Sequence, residues 1–229
     1  MNIAAVIPVK CFSNAKQRLG SLLSRADRER LAEAMFRDVL RQVMNTRGLG
    51  ATFVVTDDDK VAAIAANAGA AVIREEAERG ETSAVDLART QLKNANWEAV
   101  FVLPADLPLL RAIDIESVLA QVPPGARPPF ALLVPSHDRL GTNALLLAPP
   151  DVIKLRFGYD SFAFHMSQLA SQGLPARFFE NERIALDIDE PKDLERFLSY
   201  AVVGGDTAPI ARRVLAEPAG WPTRHSGGA

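Results

Sequence analysis

Asp106 stands in Val100-Phe101-Val102-Leu103-Pro104-Ala105-Asp106-Leu107-Pro108-Leu109-Leu110, an apolar run of strand length that ends in a carboxylate between two prolines. Neither proline suits the middle of a sheet, so the sequence predicts Asp106 just past the C-terminal end of a buried strand. Ligands of open α/β sheets bind beyond those ends, where an acid can hold a metal or a substrate; the competing role is to cap the following turn or helix. A second acidic stretch is Leu186-Asp187-Ile188-Asp189-Glu190-Pro191. Alternate side chains of an extended segment share a face, which sets Asp187 and Asp189 together and Ile184, Leu186 and Ile188 opposite them. Two carboxylates so held repel unless a cation or basic group separates them, and oxygen ligands beside a phosphate suit Mg²⁺ or Mn²⁺. Asp189 can instead cap the last helix, with Pro191 in its first turn. Lys10, Lys16 and Arg18 lie just beyond the first apolar run and suit a triphosphate whose charge must be partly neutralised; a solvated charge run is the alternative. No glycine-rich loop of Walker or Rossmann type is present, which counts against both of those folds.

The elements that must position these residues alternate along the chain. Strand-like runs at Ile3–Val9, Ala51–Thr56, Ala70–Ile73 and Val100–Leu103 are separated by helical patterns. Ser24 stands three residues before Asp27 as an N-terminal cap, and Leu31, Met35, Val39 and Val43 follow at a spacing of four. Val61, Ile64, Ala65 and Ala68 form the apolar side of a short helix closed by Gly69, and a polar loop from Arg74 to Ser83 precedes a helix from about Ala84 to Asn94. This alternation implies βαβ units and a mainly parallel sheet covered on both faces. A helix near Asp114–Gln121 leads to a proline-rich loop, then strands at Phe130–Val134 and Asn143–Leu147, and a helix from Ser161 to Gln172. Ala176–Phe179 and Arg183–Ile188 read as two more strands, and the last helix runs to about Tyr200. From Gly204 onward, glycine, proline and small polar residues dominate without periodicity, so 204–229 is expected to be a poorly ordered tail without a catalytic role.

Composition narrows the class of protein. Of 229 residues, 48% are hydrophobic and 24% charged, ordinary values for a soluble chain able to bury a sizeable core. The formal net charge of −2 offers no global basic field for nucleic acid, so an anionic substrate must be met by a local cluster. A single cysteine, Cys11, excludes an internal disulfide or a cysteine-based zinc site and is expected to be a packed side chain. No basic leader and no apolar run of ~18 residues is found, so no membrane association is expected, and the protein is expected in the cytoplasm. A homodimer is left open.

Ile7-Pro8-Val9-Lys10 with Ala15-Lys16-Gln17-Arg18-Leu19, Val55-Thr56-Asp57-Asp58, Leu103-Pro104-Ala105-Asp106-Leu107-Pro108, Gly141-Thr142-Asn143-Ala144-Leu145, Phe157-Gly158 with Ser161 and His165, and Leu186-Asp187-Ile188-Asp189 form an ordered set. Together they resemble the phospholactate guanylyltransferase family of coenzyme F420 biosynthesis, from about residue 3 to residue 200. The resemblance implies a three-layer α/β/α, nucleotide-diphospho-sugar transferase (GT-A-like) nucleotidyltransferase fold with a mainly parallel mixed sheet, residues 1–203 being one domain. It implies transfer of GMP from GTP to the phosphate of 2-phospholactate, phosphoenolpyruvate or 3-phosphoglycerate, with release of pyrophosphate. The family's three metal-binding aspartates match Asp106, Asp187 and Asp189. Its acceptor-phosphate residues match Thr142, Gly158 and Ser161; Lys10, Lys16 and Arg18 are expected to act on the nucleotide phosphates. One departure concerns the acceptor: family members carry Gly-Leu-Asn where this chain has Gly80-Glu81-Thr82-Ser83, which keeps 3-phosphoglycerate open.

An acceptor phosphate is ionised at neutral pH, so its attack on phosphorus needs no general base, and the work is positioning and charge neutralisation. Ser161 before a helix offers donors to that phosphate or serves as a plain cap, and both roles need the same local sequence. His165, one turn on, is expected to pack near the site, His137 to sit in an exposed loop able to touch the acceptor, and His225 to belong to the tail. The rivals are a nucleotidyltransferase of the same fold acting on a sugar phosphate or molybdenum cofactor, which usually starts with a glycine-rich basic loop, and a nucleotide-binding regulatory module built on Asp57-Asp58-Asp59.

Overall fold

Alternate residues of the central strands belong to opposite faces of one sheet, and that alternation organises the chain. In the computed structural model, which describes residues 1–201 and 204–216, six strands lie in the order β3-β2-β1-β4-β6-β5. They are β1 (Ile3–Pro8), β2 (Ala51–Thr56), β3 (Ala71–Arg74), β4 (Ala99–Val102), β5 (Phe130–Pro135) and β6 (Thr142–Ala148). The first four pair in parallel; β6 runs antiparallel to β4, and β5 antiparallel to β6. Ile3, Ala5 and Ile7 of β1, with Phe101 of β4 and Leu146 of β6, pack beneath Phe36 and Val39 of α1 (Arg25–Met44), Val61 of α2 (Asp59–Asn67) and Ile115 of α4 (Ala112–Leu119). Ala4 and Val6 of β1 face the other layer, against Val85 and Ala88 of α3 (Glu81–Asn94) and Leu169 of α5 (Ser161–Ser171). Both faces are buried, as a parallel sheet requires. No helix of the described residues is long and apolar enough to cross a membrane.

Local chemistry sets the helix ends. The Ser24 hydroxyl accepts from Asp27 N–H at 3.2 Å, the expected cap of α1, and Asp58 accepts from Val61 N–H at 2.9 Å to start α2. α3 begins at Glu81, three residues earlier than its apolar pattern predicts, because Gly80 takes φ +92° at the cap position. Glu81, Thr82 and Ser83 therefore form a first helical turn rather than the end of a loop.

Two expectations are corrected. Ala176–Phe179 and Arg183–Ile188 are not strands: the first makes one bridge, Phe178 to Leu133, and the second begins in a turn through Arg183 and Ile184 and continues from Leu186 as irregular chain outside the sheet. The side-chain alternation in that second segment holds without a ladder: Ile184, Leu186 and Ile188 are buried, and Asp187 and Asp189, on either side of Ile188, line the cavity. The described part of the predicted tail, 204–216, contains a helix, and 217–229 lie outside the described residues. Thr207–Ala216 is a helix, α7, that buries Ala208, Ala211 and Val214 against α1 and α6 (Pro191–Ser199). Its first turn is held by Asp38 of α1, which accepts from Asp206 N–H at 2.8 Å, Thr207 N–H at 2.9 Å and the Thr207 hydroxyl at 2.7 Å. Gly205 sits at φ +81° directly over that carboxylate, where any Cβ would collide with it. His225 lies outside the described residues.

Candidate active site

Six loops at one end of the sheet surround a cavity of about 920 Å³, within the range of small-molecule sites. Asp106 arrives on the loop after β4, as its two prolines predict. Asp187 and Asp189 come from the extended segment before α6, and Ile188 N–H donates to the Asp106 carbonyl at 3.2 Å, which ties the two acidic segments together. Neither Asp106 nor Asp189 spends its carboxylate on a helix end. α4 is capped by Arg111 and Asp114, and α6 by Glu190 and Asp193, whose Oδ2 accepts from Asp189 N–H at 3.0 Å and Glu190 N–H at 2.7 Å. All three predicted aspartates line the cavity.

Lys16 lies between two of them. Its Nζ donates to Asp106 Oδ2 at 2.5 Å and to Asp189 Oδ1 at 2.8 Å. Burial alone would lower the lysine's pKa, but the charges and hydrogen bonds of Asp106 and Asp189 outweigh it and hold the ammonium firmly protonated. The same pairing works on Asp189, where burial is outweighed by Lys16 and Arg18 and the carboxyl falls below its ordinary range. Asp187 has no such partner. Burial, then the charges of Asp106 and Asp189, push its pKa up to about 6 against a 3.1 Å hydrogen bond from Asn143 Nδ2. Arg18 is mostly exposed, 3.8 Å from Asp189, and Lys10 pairs with Glu78 at 3.1 Å on the cavity rim.

Among the described residues, no three histidine, cysteine, aspartate or glutamate side chains are grouped so as to enclose a metal ion; the Lys16 ammonium supplies the positive charge between Asp106 and Asp189. The donors nonetheless suit a hard cation. They are all oxygens, Asp106 Oδ1 is buried with no hydrogen-bond partner, and Asp187 is under repulsion that added positive charge would relieve.

Beyond Asn143, which bonds Asp187, the lining becomes neutral and carries hydroxyl groups. Thr142 opens β6, Gly158 takes φ +99°, and Ser161 is the first residue of α5, all three lining the same cavity. Ser161 is not a cap: Asp160 precedes it at the cap position, and the Ser161 hydroxyl accepts from Thr142 N–H at 3.0 Å. His165 is fully buried, its Nδ1 2.9 Å from Thr142 Oγ1 and its Nε2 3.2 Å from Arg156 N. His137 is exposed on the rim, as expected.

Three contributors had no role assigned from sequence, although Glu81 and Thr82 lie in the Gly80–Ser83 stretch expected near the acceptor or the nucleotide. Asn143 is buried and its Nδ2 bridges the Ile184 carbonyl at 2.9 Å and Asp187, orienting that acid. Thr82 accepts from Phe157 N–H at 3.0 Å, fastening α3 to the loop that carries Gly158. Glu81 faces the cavity, and burial followed by the charge of Asp106 drives its pKa up to about 7 against the pull of Lys10 and Lys16. Asn143 stood beside Thr142 in the motif, but its target lies more than forty residues away.

The buried histidine sets one pH expectation. Burial, then Arg156 and Arg89, depress His165 to about 4, so between there and its unfolded value the unfolded chain binds the extra proton. His165 therefore contributes stability above about pH 6.5 that is lost as pH falls toward 4. Urea unfolding at pH 7 and pH 5 should show a loss of about 2 kcal/mol in the wild type beyond that in His165→Gln. Equal losses would exclude a buried neutral imidazole.

The mixed sheet, in the order β3-β2-β1-β4-β6-β5 with helices on both faces, is the fold of solved nucleotide-sugar and nucleotidyl transferases. The structure is similar to that of a protein described as a nucleotide-diphospho-sugar transferase from Desulfovibrio desulfuricans G20, with a TM-score of 0.74, 16% identity, and 94% of this chain and 96% of that chain covered. A cytidylyltransferase from Leptospira borgpetersenii aligns with a TM-score of 0.58 at 14% identity, covering 94% of each chain. The sequence goes further: residues 3–207 match the family described as "Guanylyl transferase CofC like", and the chain belongs to that family. Curated relatives include a phosphoenolpyruvate guanylyltransferase of Rubrobacter xylanophilus, 36% identical over 86% of this chain and 93% of its own length. A 3-phospho-D-glycerate guanylyltransferase of Colwellia psychrerythraea is 33% identical over 85% of this chain and 90% of its own. A 2-phospho-L-lactate guanylyltransferase of Methanothermobacter thermautotrophicus is 30% identical over 87% of this chain and 86% of its own.

Proposed function

We propose that the protein transfers GMP from GTP to the phosphate of a small phosphorylated hydroxy acid, releasing pyrophosphate, as a step in coenzyme F420 biosynthesis. The observation that carries this reading is the division of one cavity into three parts. Lys10, Lys16 and Arg18, then Asp106, Asp187 and Asp189, and finally Thr142, Gly158 and Ser161 all line it; Lys16 bonds Asp106 and Asp189, and Asn143, beside Thr142, bonds Asp187. Such a cavity can take two phosphorylated substrates end to end. The acceptor phosphate lies against the Thr142 and Ser161 hydroxyls, at the N-terminal end of α5, where the helix dipole and hydroxyl donors both favour an anion. The basic residues neutralise the triphosphate and then the departing pyrophosphate. An acceptor phosphate oxygen, already ionised, forms the new bond to the α-phosphorus as the bond to the pyrophosphate oxygen breaks. Asp106, Asp187 and Asp189 would hold Mg²⁺ or Mn²⁺, which supplies Lewis-acid charge neutralisation when bound. Both substrates are cytoplasmic metabolites, and we place the protein there.

Pyrophosphate release, measured with GTP, Mg²⁺ or Mn²⁺ and a panel of 2-phospholactate, phosphoenolpyruvate and 3-phosphoglycerate, tests the reaction. Turnover with at least one acceptor, and none with CTP in place of GTP, is expected. Folded protein inactive on all three acceptors would remove the transferase reading. Within the site, Thr142→Val should raise KM for the acceptor about tenfold, the loss of one hydrogen bond to a charged group, with KM for GTP little changed. The reverse pattern would assign the Thr142 wall to the nucleotide.

A further inference from the structure

The hydrogen bonds around His165 fix the direction of the donor wall. The imidazole is fully buried, edge-on to Phe157 and Phe164 at centroid separations of 5.6 and 5.7 Å. A backbone amide only donates, so Nε2, facing Arg156 N–H at 3.2 Å, is an acceptor without a proton. The ring stays neutral, because burial and the Arg156 and Arg89 guanidinium groups oppose its protonation. Its single proton is then on Nδ1, which donates to Thr142 Oγ1 at 2.9 Å. A hydroxyl that receives a hydrogen bond from the ring has no reason to turn its own proton back toward it. That proton is free for the cavity. Ser161 is placed the same way: its oxygen receives Thr142 N–H, leaving its proton available.

We propose that His165 is a positioning residue that holds the Thr142 hydroxyl as a hydrogen-bond donor toward an anionic acceptor group. The inference rests on the reading that the acceptor phosphate sits against Thr142 and Ser161. With the opposite tautomer, Thr142 would donate to the ring and present a lone pair to a phosphate dianion, which repels it. The imidazole thus acts through Thr142, without touching substrate and without transferring a proton in the reaction. This accounts for a buried histidine beside a reaction that needs no general base.

Two substitutions separate the ring nitrogens. The side-chain nitrogen of His165→Asn falls near Nδ1 and can still donate to Thr142, whereas the carbonyl of His165→Gln falls near Nε2 and keeps the bond to Arg156 N–H while losing the donor. With GTP, Mg²⁺ and whichever panel acceptor turns over best, His165→Gln should raise acceptor KM tenfold or more with GTP KM unchanged. His165→Asn should stay within about threefold of wild type. In a Thr142→Val background, His165→Gln should add no further change. Equal effects of the Asn and Gln variants, or an undiminished His165→Gln effect in the Thr142→Val background, would overturn the role. Thr142→Val with unchanged acceptor KM would instead remove the subsite beneath it. The wild-type protein gives a reading independent of any variant's folding: with only three histidines in the chain, ¹⁵N shifts of the rings identify the tautomer. The His165 signal should show a protonated Nδ1 and a bare Nε2; the reverse would overturn the proposal.

Discussion

Asp187→Asn and Asp106→Asn should each reduce turnover about a thousandfold or more, while the thermal midpoint stays within a few degrees of wild type. The asymmetry follows from what each carboxylate does in the folded chain. Asp187 is raised to about 6 by burial and by the charges of Asp106 and Asp189, so neutralising it relieves repulsion. The amide can also keep an oxygen facing Asn143. Asp106 has one oxygen on Lys16 and the other buried without a partner, and the lysine retains Asp189 when Asp106 is neutralised. Neither aspartate therefore holds the fold together. Catalysis is a different matter: under the proposed function these oxygens would hold a hard cation that would supply several kcal/mol of charge stabilisation, and each ~1.4 kcal/mol is a decade in rate. Pyrophosphate release at saturating substrates and Mg²⁺, read beside thermal unfolding, checks both halves. Near-normal turnover in either variant would leave that carboxylate with a structural role only, and a collapse of the thermal midpoint would mean that the charge balance of the cluster is a folding requirement.

The three carboxylates and the basic loop were legible because each announces itself locally, whereas Thr142, Gly158 and Ser161 were singled out by the family resemblance alone. Asp106 lies between prolines at the end of an apolar run, Asp187 and Asp189 alternate with isoleucine, and Lys16 and Arg18 follow a strand at short range. What sequence could not supply is which charge meets which. Lys16 reads as a phosphate ligand, yet in the folded chain it bridges acids 90 and 173 positions away. Distance in sequence also hid α7. Thr207–Ala216 begins after two glycines and carries Pro209 in its first turn, a weak helical signal, and its stabiliser is the Asp38 carboxylate on a helix some 170 residues earlier. The segment at Arg183–Ile188 failed in the opposite direction. Its apolar alternation is real and buries Ile184, Leu186 and Ile188, but periodicity reports which side is buried, not whether a neighbouring strand is there to pair with. Its backbone bonds go locally to Asn181 and singly to Asn143, His137 and Asp106 rather than along a neighbouring strand.

The second large effect is expected far from the phosphates. Asp114→Ala should destabilise the protein by about 3 kcal/mol, the low end for breaking a buried charge pair because Arg183 is partly exposed. Asp114 is almost wholly buried and serves three partners at once. It caps its own helix by accepting from Arg111 N–H at 2.9 Å, it pairs with Arg183 through both oxygens, with Nε to Oδ2 at 2.7 Å, and it accepts from Asn181 Nδ2 at 3.0 Å. Asn181 in turn accepts from the backbone N–H groups of Arg183 and Ile184, each at 3.0 Å, and so sets the turn from which the chain runs out to Asp187 and Asp189. Removing the carboxylate leaves the half-buried Arg183 guanidinium unpaired and frees the start of the acidic segment. For a domain of this size, the loss corresponds to a fall of roughly 6–12 °C in thermal midpoint. Arg183→Met leaves the buried Asp114 carboxylate without its cation but with its bonds from Arg111 N–H and Asn181, and should therefore cost less than Asp114→Ala. Urea unfolding of the two variants and of the double variant measures that coupling. A double variant no less stable than Asp114→Ala alone is expected, and strict additivity would mean that Asp114 anchors its own helix and not the segment that carries the site.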